Sequence, residues 1–296
     1  MGTTSGLFSP LEDHGLIRLS GADAATLLQG QSTCDILALE PGSAGCGAFC
    51  TPQGRVIANF RITRQADDYF LWLARDLAEA VCRRLRLYVL RSSVTVENLS
   101  DSHTLMGLFG DCPAALSSRN VALHVNDSLK RTVLAIDGSD PGSIANLTRQ
   151  RTVVDSNAWR LADIEIGWPS VTARISETFI PQMINLDLMG GISFSKGCYT
   201  GQEIVTRTRF LGQVKRRLYR LSGHGTLLPN PGDAISQAGA VDSGMAGQVV
   251  SAAHDDTGDG FQMLAVLAID LAESPDLMLQ ERDDGTFLKR EPLTLD

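Results

Sequence analysis

Apolar and polar residues alternate in short runs over the first two thirds of the chain, and this pattern predicts β-strands. Residues 56–63 give the clearest alternation, and residues 69–74 form the predicted hairpin partner across the turn residues Asp67 and Asp68. Further short strands are predicted at residues 94–97, 105–109 and 132–136. Loops rich in Ser, Asp, Gly and Pro separate these strands, which is typical of tight turns.

A helical period appears between the strands. Residues 22–31 form one predicted helix with Ser20 as its N-cap, and Asp76 caps a second helix. The second helix carries an apolar stripe formed by Leu77, Val81, Leu85, Tyr88 and Val89. Residues 202–209 also have a helix-compatible composition. Strand pairs mixed with helices predict an α+β fold rather than a parallel sheet built from βαβ units.

The pattern changes after Lys215. Residues 217–221, 246–253 and 263–269 are strand-like, and turn signals at Pro229, Pro231 and residues 255–260 separate them. These features predict a small C-terminal β-barrel. We therefore expect a first domain over residues 1–214 and a β-barrel domain over residues 215–296.

Composition narrows the class of protein. The chain has 296 residues, of which 43% are hydrophobic and 20% charged, and these values are typical of a globular protein with a substantial core. The formal net charge of −8 argues against a general nucleic-acid binder, because such proteins carry a basic surface. No apolar run is long enough to cross a membrane, and we recognise no targeting segment, so we expect a cytoplasmic protein.

The six cysteines lack the paired spacing of a metal site, and we expect reduced thiols. Cys46 and Cys50 form a lone C-x-x-x-C, which is more typical of small buried strand residues than of a metal or iron–sulfur site. The five histidines are scattered singly, so we interpret them as structural unless folding unites them. The sequence also lacks the glycine-rich nucleotide motifs and the G-x-S-x-G elbow of hydrolases.

The densest group of candidate residues is S-K-G-C-Y-T-G-Q-E, at positions 195–203. Gly197 and Gly201 allow positive φ and close backbone approach, and the loop leads into the predicted helix at residues 202–209. A helix N-terminus and the nearby Lys196 both favour the thiolate form of Cys198. The alternative is a tight structural turn with Cys198 as a small buried residue, and no histidine lies nearby in sequence to act as its base.

These residues resemble a known family. K-G-C-Y-T-G-Q-E at 196–203, followed by I-V-T-R, resembles the hallmark of the YgfZ family, whose relatives include a mitochondrial iron–sulfur assembly factor and the glycine cleavage T-protein. Segments at residues 27–35, 53–56, 160–169, 180–186 and 191–194 are also similar to family segments. The likeness covers most of residues 14–222 and weakens in the C-terminal β region.

The resemblance implies a T-protein-like fold, in which two intertwined α+β (ferredoxin-like) modules and a C-terminal β-barrel surround an opening that holds tetrahydrofolate or a one-carbon derivative. It implies an accessory protein for iron–sulfur enzymes, including enzymes that modify tRNA, with iron–sulfur client proteins as partners. The working residues would be Cys198 and Lys196. The folate-binding residues would be Gln31, Arg160, Glu165, Trp168, Gln182, Tyr199, Gln202, Glu203 and Arg207.

Each of these residue types suits folate. A pterin needs donors and acceptors along one edge, which Gln31, Glu165, Gln182 or Gln202 could supply. Trp168 or Tyr199 would form an aromatic wall. The anionic glutamate tail would suit arginines such as Arg160, Arg207 or Arg209, although an arginine taken alone is more often a surface charge.

One departure from the T-protein pattern argues against T-protein activity. That enzyme carries a carboxylate pair where this chain has Ala58 and Asn59, which cannot ionise to manage protons. Three alternatives stay open. They are a folate-dependent one-carbon transferase of unknown substrate, an RNA- or protein-docking module that uses Lys215, Arg216 and Arg217, and a role for Cys198 as an iron–sulfur cluster ligand.

Overall fold

Three β-sheets and five α-helices form the part of the chain that the structure describes. The structure is a computed structural model, and it describes residues 6–110, 112, 120–125, 128–238, 245–280 and 287–293. None of the helices in these ranges is long and apolar enough to cross a membrane.

The first sheet contains the hairpin that the alternation predicts. Its strands are β2 (His14–Ser20), β3 (Ala44–Cys50), β4 (Val56–Gln65), β5 (Asp68–Ala74) and β6 (Thr95–Asn98), in the spatial order β3-β4-β5-β2-β6. Strands β4 and β5 pair antiparallel, with Arg61 opposite Trp72 and Gln65 opposite Asp68. The predicted strands at residues 56–63 and 69–74 are therefore confirmed, and each extends by one or two residues into the turn.

The second sheet is interleaved in sequence with the first. Its strands are β1 (Leu7–Pro10), β7 (His103–Phe109), β8 (Val121–His124), β9 (Arg131–Asp137) and β10 (Thr152–Val153), in the order β10-β1-β7-β9-β8. Strand β1 belongs to this sheet, whereas β2, which follows it directly, belongs to the first. All strands of the first sheet therefore lie in sequence between β1 and β7 of the second sheet.

Helices cover the sheets and connect them. They are α1 (Ala24–Gln31), α2 (Arg75–Arg86), α3 (Pro141–Gln150), α4 (Ser156–Glu165) and α5 (Gln202–Phe210), with short 3₁₀ turns at Ala173–Ile175, Pro181–Ile184 and Ile269–Leu271. Helix α2 buries Leu77, Val81 and Leu85 of the predicted apolar stripe. It ends at Arg86, so Tyr88 and Val89 lie beyond it.

Both predicted N-caps are wrong. Ser20 ends strand β2, and Asp23 occupies the N-cap position of α1. Asp76 lies inside the first turn of α2, where its carboxylate accepts a hydrogen bond from the distant backbone N–H of Ala173 at 2.9 Å. The side chain joins two segments of the fold instead of closing its own helix.

The third sheet uses the last part of the chain. Its strands are β11 (Arg216–His224), β12 (Ala234–Gln237), β13 (Gly247–His254), β14 (Gly260–Ala268), β15 (Leu277–Leu279) and β16 (Lys289–Glu291), in the order β15-β12-β13-β14-β11-β16. A bridge between Met278 and Phe287 links the edge strand β15 to the residues that precede the opposite edge strand β16. The sheet is therefore strongly curled.

The third sheet shares a hydrophobic core with the first. Leu218, Val250 and Leu264 of the third sheet are buried in the same cluster as Phe60 and Leu71 of the first sheet. Burial of apolar surface drives such packing, so the C-terminal sheet is held firmly against the rest of the molecule.

Candidate functional site

The loop at residues 195–201 is fixed by close packing of backbone on backbone. Gly201 has φ +87° at the N-cap of α5, and a Cβ atom there would lie 2.5 Å from the Thr51 carbonyl oxygen. Gly54, with φ +70°, faces it from the turn between β3 and β4. The prediction of a special glycine is correct for Gly201. It is wrong for Gly197, which has no positive φ and where an added Cβ atom would meet no neighbouring atom within 4 Å.

Lys196 anchors the start of the loop. Its Nζ donates to the carbonyl oxygens of Ser32 at 2.8 Å and Cys34 at 2.6 Å, and it lies 5.1 Å from the centre of the Tyr199 ring. Partial burial lowers the pKa of the Lys196 ammonium from 10.5 to about 8. The ammonium thus points into the protein, toward the segment that follows α1.

Tyr199 anchors the other side of the loop. Its side chain is 6% exposed, and its hydroxyl has no hydrogen-bond partner among the described residues. Burial raises the pKa of this phenol, and the neighbouring thiols of Cys50 and Cys34 raise it further. Gln31, at the end of α1, likewise has a buried side-chain oxygen without a partner in the described ranges.

Cys198 differs from the other cysteines. All six thiols are free, and Cys198 alone among them is exposed. Burial raises the pKa of Cys46 and Cys50 to about 12 and that of Cys82 to about 11. The loop therefore presents one thiol to solvent between two residues that are held in place.

Helix α5 carries three predicted folate contacts, and Gln182 positions this helix. Gln202 begins the helix, Glu203 lies exposed in its first turn and Arg207 lies exposed in its last turn. The buried Gln182 donates from Nε2 to the carbonyl oxygen of Val205 at 2.7 Å. The contact to Val205 ties α5 to the 3₁₀ turn at Pro181–Ile184.

A first cavity of about 390 Å³ opens where the first sheet meets the segment before the loop. Arg61, Cys46, Ile166, Trp168 and Met189 are among its lining residues. Trp168 is 8% exposed, and the Arg61 guanidinium stacks 4.0 Å from the centre of its ring. The predicted aromatic wall Trp168 therefore does border an opening.

A buried charge cluster supports this cavity. Asp163 accepts hydrogen bonds at 2.8 Å from both Arg61 of β4 and Arg131 of β9, so it joins the first and second sheets through α4. Burial alone would raise the pKa of the Asp163 carboxyl, but the two guanidinium groups hold it below its ordinary value. Sequence inspection missed this cluster, because its members are single charged residues more than thirty positions apart.

A second cavity of about 290 Å³ lies on another side of Trp168. Asp13, His14, Trp159, Arg160 and Trp168 are among its lining residues. The Asp13 carboxylate accepts from His14 Nδ1 at 2.8 Å and from Arg160 at 3.0 Å. Folding thus brings Arg160 to the adjacent residues Asp13 and His14, which no spacing in the sequence indicated.

The remaining positions of interest lie apart from these cavities. Glu165 is exposed at the end of α4 and pairs with Arg220 at 3.7 Å. Asn59 donates to the Pro169 carbonyl at 2.6 Å and accepts from the Val171 N–H at 2.9 Å. Both ends of its amide are therefore occupied in holding the backbone.

The described residues include no group of three or more His, Cys, Asp or Glu side chains that could hold a metal ion. The predicted residues thus fall into three places. Lys196, Cys198 and Tyr199 belong to the loop, and Gln31 precedes Ser32, whose carbonyl oxygen accepts from Lys196. Gln182, Gln202, Glu203 and Arg207 lie at α5, and Trp168 with Arg160 lies at the cavities. Glu165 lies apart from all three places.

Comparison with known proteins places this chain in a family. The family model of the GCVT N-terminal domain matches residues 7–125. The solved structure of glycine cleavage system aminomethyltransferase T from Bartonella henselae superposes with a TM-score of 0.75 at 13% identity, over 99% of this chain and 87% of that one. The predicted mixed α+β fold of the T-protein kind is therefore confirmed.

Sequence relatives extend over nearly the whole chain. The "tRNA-modifying protein YgfZ" of Hamiltonella defensa subsp. Acyrthosiphon pisum (strain 5AT) is 31% identical, over 95% of this chain and 91% of the relative. The protein of the same name from Escherichia coli O127:H6 is 30% identical over 96% and 91%, and that from Aliivibrio fischeri (strain MJ11) is 31% identical over 92% and 88%. With this identity over this length, the chain belongs to the YgfZ family.

Proposed function

We propose that this protein binds tetrahydrofolate or a one-carbon derivative in the cytoplasm and supports iron–sulfur enzymes, among them enzymes that modify tRNA. The observation that carries the proposal is the Cys198 thiol, which is exposed although both of its anchored neighbours, Lys196 and Tyr199, are held by the protein. A thiol fixed in this way is suited to meet a partner or a reactive group without an ordering step. The name that the relatives carry supports the link to tRNA modification.

The first cavity is our proposed site for the pterin ring. Its volume of about 390 Å³ lies within the range of small-molecule sites, and Trp168 and Ile166 supply apolar walls. Arg61 brings hydrogen-bond donors to the same space. Arg207, exposed near the end of α5, is our candidate for the glutamate tail.

Calorimetric titration with tetrahydrofolate tests folate binding. We expect micromolar affinity, about −8 kcal/mol. Trp168→Leu removes the aromatic wall and Arg207→Ala removes the cation, so each should weaken binding, whereas Cys198→Ala should mostly spare it. Arg83→Ala is the matched control, because Arg83 is an exposed arginine in the last turn of another helix, α2. Absence of binding to the wild-type protein would refute the folate proposal.

A cell assay tests the role of the thiol. In Escherichia coli cells that lack their own YgfZ relative, the wild-type chain should restore thiolated nucleosides in tRNA, measured by mass spectrometry. Cys198→Ala should fail to restore them, and Cys112→Ala should succeed. Equal restoration by both variants would contradict a working role for Cys198.

The same protein preparations separate this function from the alternatives. Turnover of a methylene-folate donor that is lost in Cys198→Ala would establish the one-carbon transferase instead. The docking module based on the basic run at residues 215–217 has less support, since Arg217 forms a two-bond ion pair with Asp187, at 2.6 and 3.0 Å. Steeply salt-dependent binding to tRNA would revive it, and iron–sulfur absorbance in anaerobically purified protein would favour the cluster-ligand role of Cys198.

A further inference from the structure

The turn that follows α2 exposes large apolar side chains. Leu87 is 74% exposed, Tyr88 39% and Leu90 88%. Val89 lies between them in sequence and packs against the core that the first and third sheets share. A backbone hydrogen bond from the Ser92 N–H to the Val89 carbonyl at 2.7 Å also holds the turn. The apolar side chains are therefore presented to solvent by an anchored backbone.

Leu90 combines two unfavourable features. Its φ is +43°, in the left-handed region that disfavours residues with a β-carbon and is usually occupied by glycine or asparagine. Its side chain lies at an open cleft lined also by Asp23, Thr26, Arg91 and Ser92, where it is exposed instead of packed. Neither the local backbone nor the hydrophobic core therefore favours a leucine at this position. An exposed apolar residue on a strained backbone is typical of functional surfaces.

The same stretch is rich in positive charge, although the chain as a whole has a net charge of −8. Its arginines are Arg83, Arg84, Arg86 and Arg91. Arg86 donates from Nε and Nη2 to the Val96 carbonyl at 3.1 and 3.0 Å, so its guanidinium is held against the protein. Arg83 and Arg91 are exposed, and neither forms an ion pair with any residue that the structure describes.

The helix dipole accounts for part of this charge. Arg83 and Arg86 lie in the last turn of α2, where cations are favoured. Glu79 lies 4.0 Å from Arg86, and Asp23 lines the cleft at Arg91. Two carboxylates beside four guanidinium groups leave a surplus of positive charge. The dipole explains neither Arg91, which lies beyond the helix, nor the exposed apolar side chains.

Together these side chains have the composition of a protein interface. We call Arg83, Arg86, Leu87, Tyr88, Leu90 and Arg91 the α2-end surface. Tyrosine and arginine are enriched at the centres of protein interfaces, where a few side chains supply most of the binding free energy. Because the rest of the molecule is acidic, an acidic partner is repelled elsewhere and directed to this surface.

Two other classes of partner match fewer of these features. Nucleic acid is bound mainly through its phosphates, to which the exposed Leu87 and Leu90 contribute no contact. A helix that lies on a membrane needs an apolar face directed to the lipid, whereas Leu77, Val81 and Leu85 of α2 are buried in the protein. A protein segment uses both the leucines and the arginines.

We propose that the α2-end surface binds a partner protein through an acidic segment that carries leucine or phenylalanine side chains. The apolar side chains of the segment pack on Leu87, Tyr88 and Leu90, and its carboxylates pair with Arg83 and Arg91. The binding involves neither folate nor Cys198, so it goes beyond the proposed function and is independent of it.

The test measures the fluorescence anisotropy of a labelled peptide, Glu-Leu-Asp-Glu-Leu-Phe-Glu-Asp, titrated with the full chain. One comparison peptide has serine in place of Leu and Phe, and another has lysine in place of Glu and Asp. We expect saturable binding of the first peptide and none of the other two. Arg91→Glu should weaken binding of the acidic peptide about ten-fold or more, because it replaces an attraction by a repulsion.

Leu90→Asn separates binding from folding. Asparagine tolerates positive φ, so this variant should unfold at the same urea concentration as the wild type or at a higher one. It should nevertheless bind the acidic peptide about five-fold or more weakly, as expected for loss of a central apolar contact. Leu37→Asn and Lys289→Glu change an exposed leucine and an exposed cation elsewhere in the chain, and both should bind like the wild type.

Absence of saturable binding, equal binding of either comparison peptide, or unchanged affinity in both Arg91→Glu and Leu90→Asn overturns the proposal. If tRNA or phosphatidylglycerol vesicles bind instead of the peptide, and both variants lose that binding, the surface serves nucleic acid or lipid and the proposal is wrong. Sedimentation velocity tests for a second copy of the chain, and self-association that Leu90→Asn abolishes also overturns it. Calorimetry with tetrahydrofolate is read separately, so failure of either proposal leaves the other intact.

Discussion

The ammonium group of Lys196 is partly buried, and this burial lowers its pKa, with a consequence for stability. Its pKa is about 8 in the folded protein against 10.5 in the unfolded chain, so the unfolded chain binds more protons between these pH values. Stability rises with pH wherever the unfolded state binds more protons. The contribution of Lys196 to the free energy of unfolding therefore increases as pH rises from about 8 to 10.5.

Comparison of the wild type with Lys196→Met tests whether the contribution of Lys196 to stability rises with pH. Urea unfolding at several pH values across the window should show the wild type gaining stability relative to the variant as pH rises. Lys289→Met controls for loss of an ammonium, since the Lys289 side chain is 78% exposed. A difference between wild type and Lys196→Met that stays flat with pH would show that Lys196 does not titrate in this range.

Exposure of Cys198 predicts selective alkylation. In the native protein, iodoacetamide should modify Cys198 before the other thiols, because Cys34, Cys50 and Cys82 are buried and burial raises the pKa of each. Peptide mass mapping over time measures the order, and Cys198→Ala should abolish the fast phase. Modification of Cys34 at the same rate as Cys198 would contradict the closed packing behind the loop.

Sequence could predict which residues of the loop matter, but not where their side chains point. Proximity in sequence suggested that Lys196 acts on Cys198, whereas its ammonium contacts the carbonyls of Ser32 and Cys34. The direction of a long side chain depends on acceptors that folding brings from more than a hundred and sixty positions away. The roles of both residues stay predictions for the assays above.

At the scale of elements, the two glycines of the loop form a natural comparison. Gly201→Ala combines a positive φ with a Cβ atom 2.5 Å from the Thr51 oxygen, so it should destabilise the protein by at least the ~1–3 kcal/mol of backbone strain. Gly197→Ala meets no atom within 4 Å and should change stability by less than about 0.5 kcal/mol. Urea denaturation of both variants measures the contrast, and equal costs would show that the backbone approach at Gly201 is unimportant.

Element types were more predictable than element ends. The strand β4 and the helix α5 follow directly from local periodicity and composition. The N-caps of α1 and α2 could not be predicted in this way. Ser20 ends strand β2, and the Asp76 carboxylate accepts a hydrogen bond from a distant part of the chain. Helix α4 was not predicted, although Asp155 gives a usable signal, since its carboxylate caps the helix by accepting from Asn157 N–H at 3.0 Å.

At the scale of the whole molecule, Asp163 joins the first and second sheets. Asp163→Asn leaves two buried guanidinium groups without their shared carboxylate, so we expect a loss of about 3–5 kcal/mol in unfolding free energy at neutral pH. Asp101→Asn is the matched control, because that carboxylate is 95% exposed beside Arg75 and should cost about 1 kcal/mol or less. Equal effects of the two changes, measured by urea denaturation, would refute the joining role.

The pH dependence of this prediction has a definite sign. The folded pKa of Asp163 is lowered, so its stabilising contribution is present in full above the unfolded value of 3.8. It is lost as pH falls through the folded value. The difference in unfolding free energy between the wild type and Asp163→Asn should therefore become smaller only at acid pH. A difference that becomes smaller near neutral pH would contradict a lowered pKa of Asp163.

The constellations at the two cavities could not be predicted from sequence. Arg61, Arg131 and Asp163 come from a strand of each of two sheets and from a helix, and Asp13 joins His14 to Arg160, which lies 147 positions beyond the aspartate. The family resemblance indicated that Trp168 and Arg160 are site residues, but it gave no sign that two separate cavities share the Trp168 ring. Only the packing of sheets against each other creates that arrangement.

The interleaving of the two N-terminal sheets also determines the order in which a nascent chain can fold. Leu7 of β1 pairs with Phe109 and with Thr152, so the ribosome must complete every strand of the neighbouring sheet before the first strand of the protein finds a partner. During that interval the apolar strand β1 has unpaired backbone N–H and C=O groups. Strands in this state associate readily with other chains. A chain whose synthesis is interrupted before residue 103 therefore lacks both strands that pair with β1.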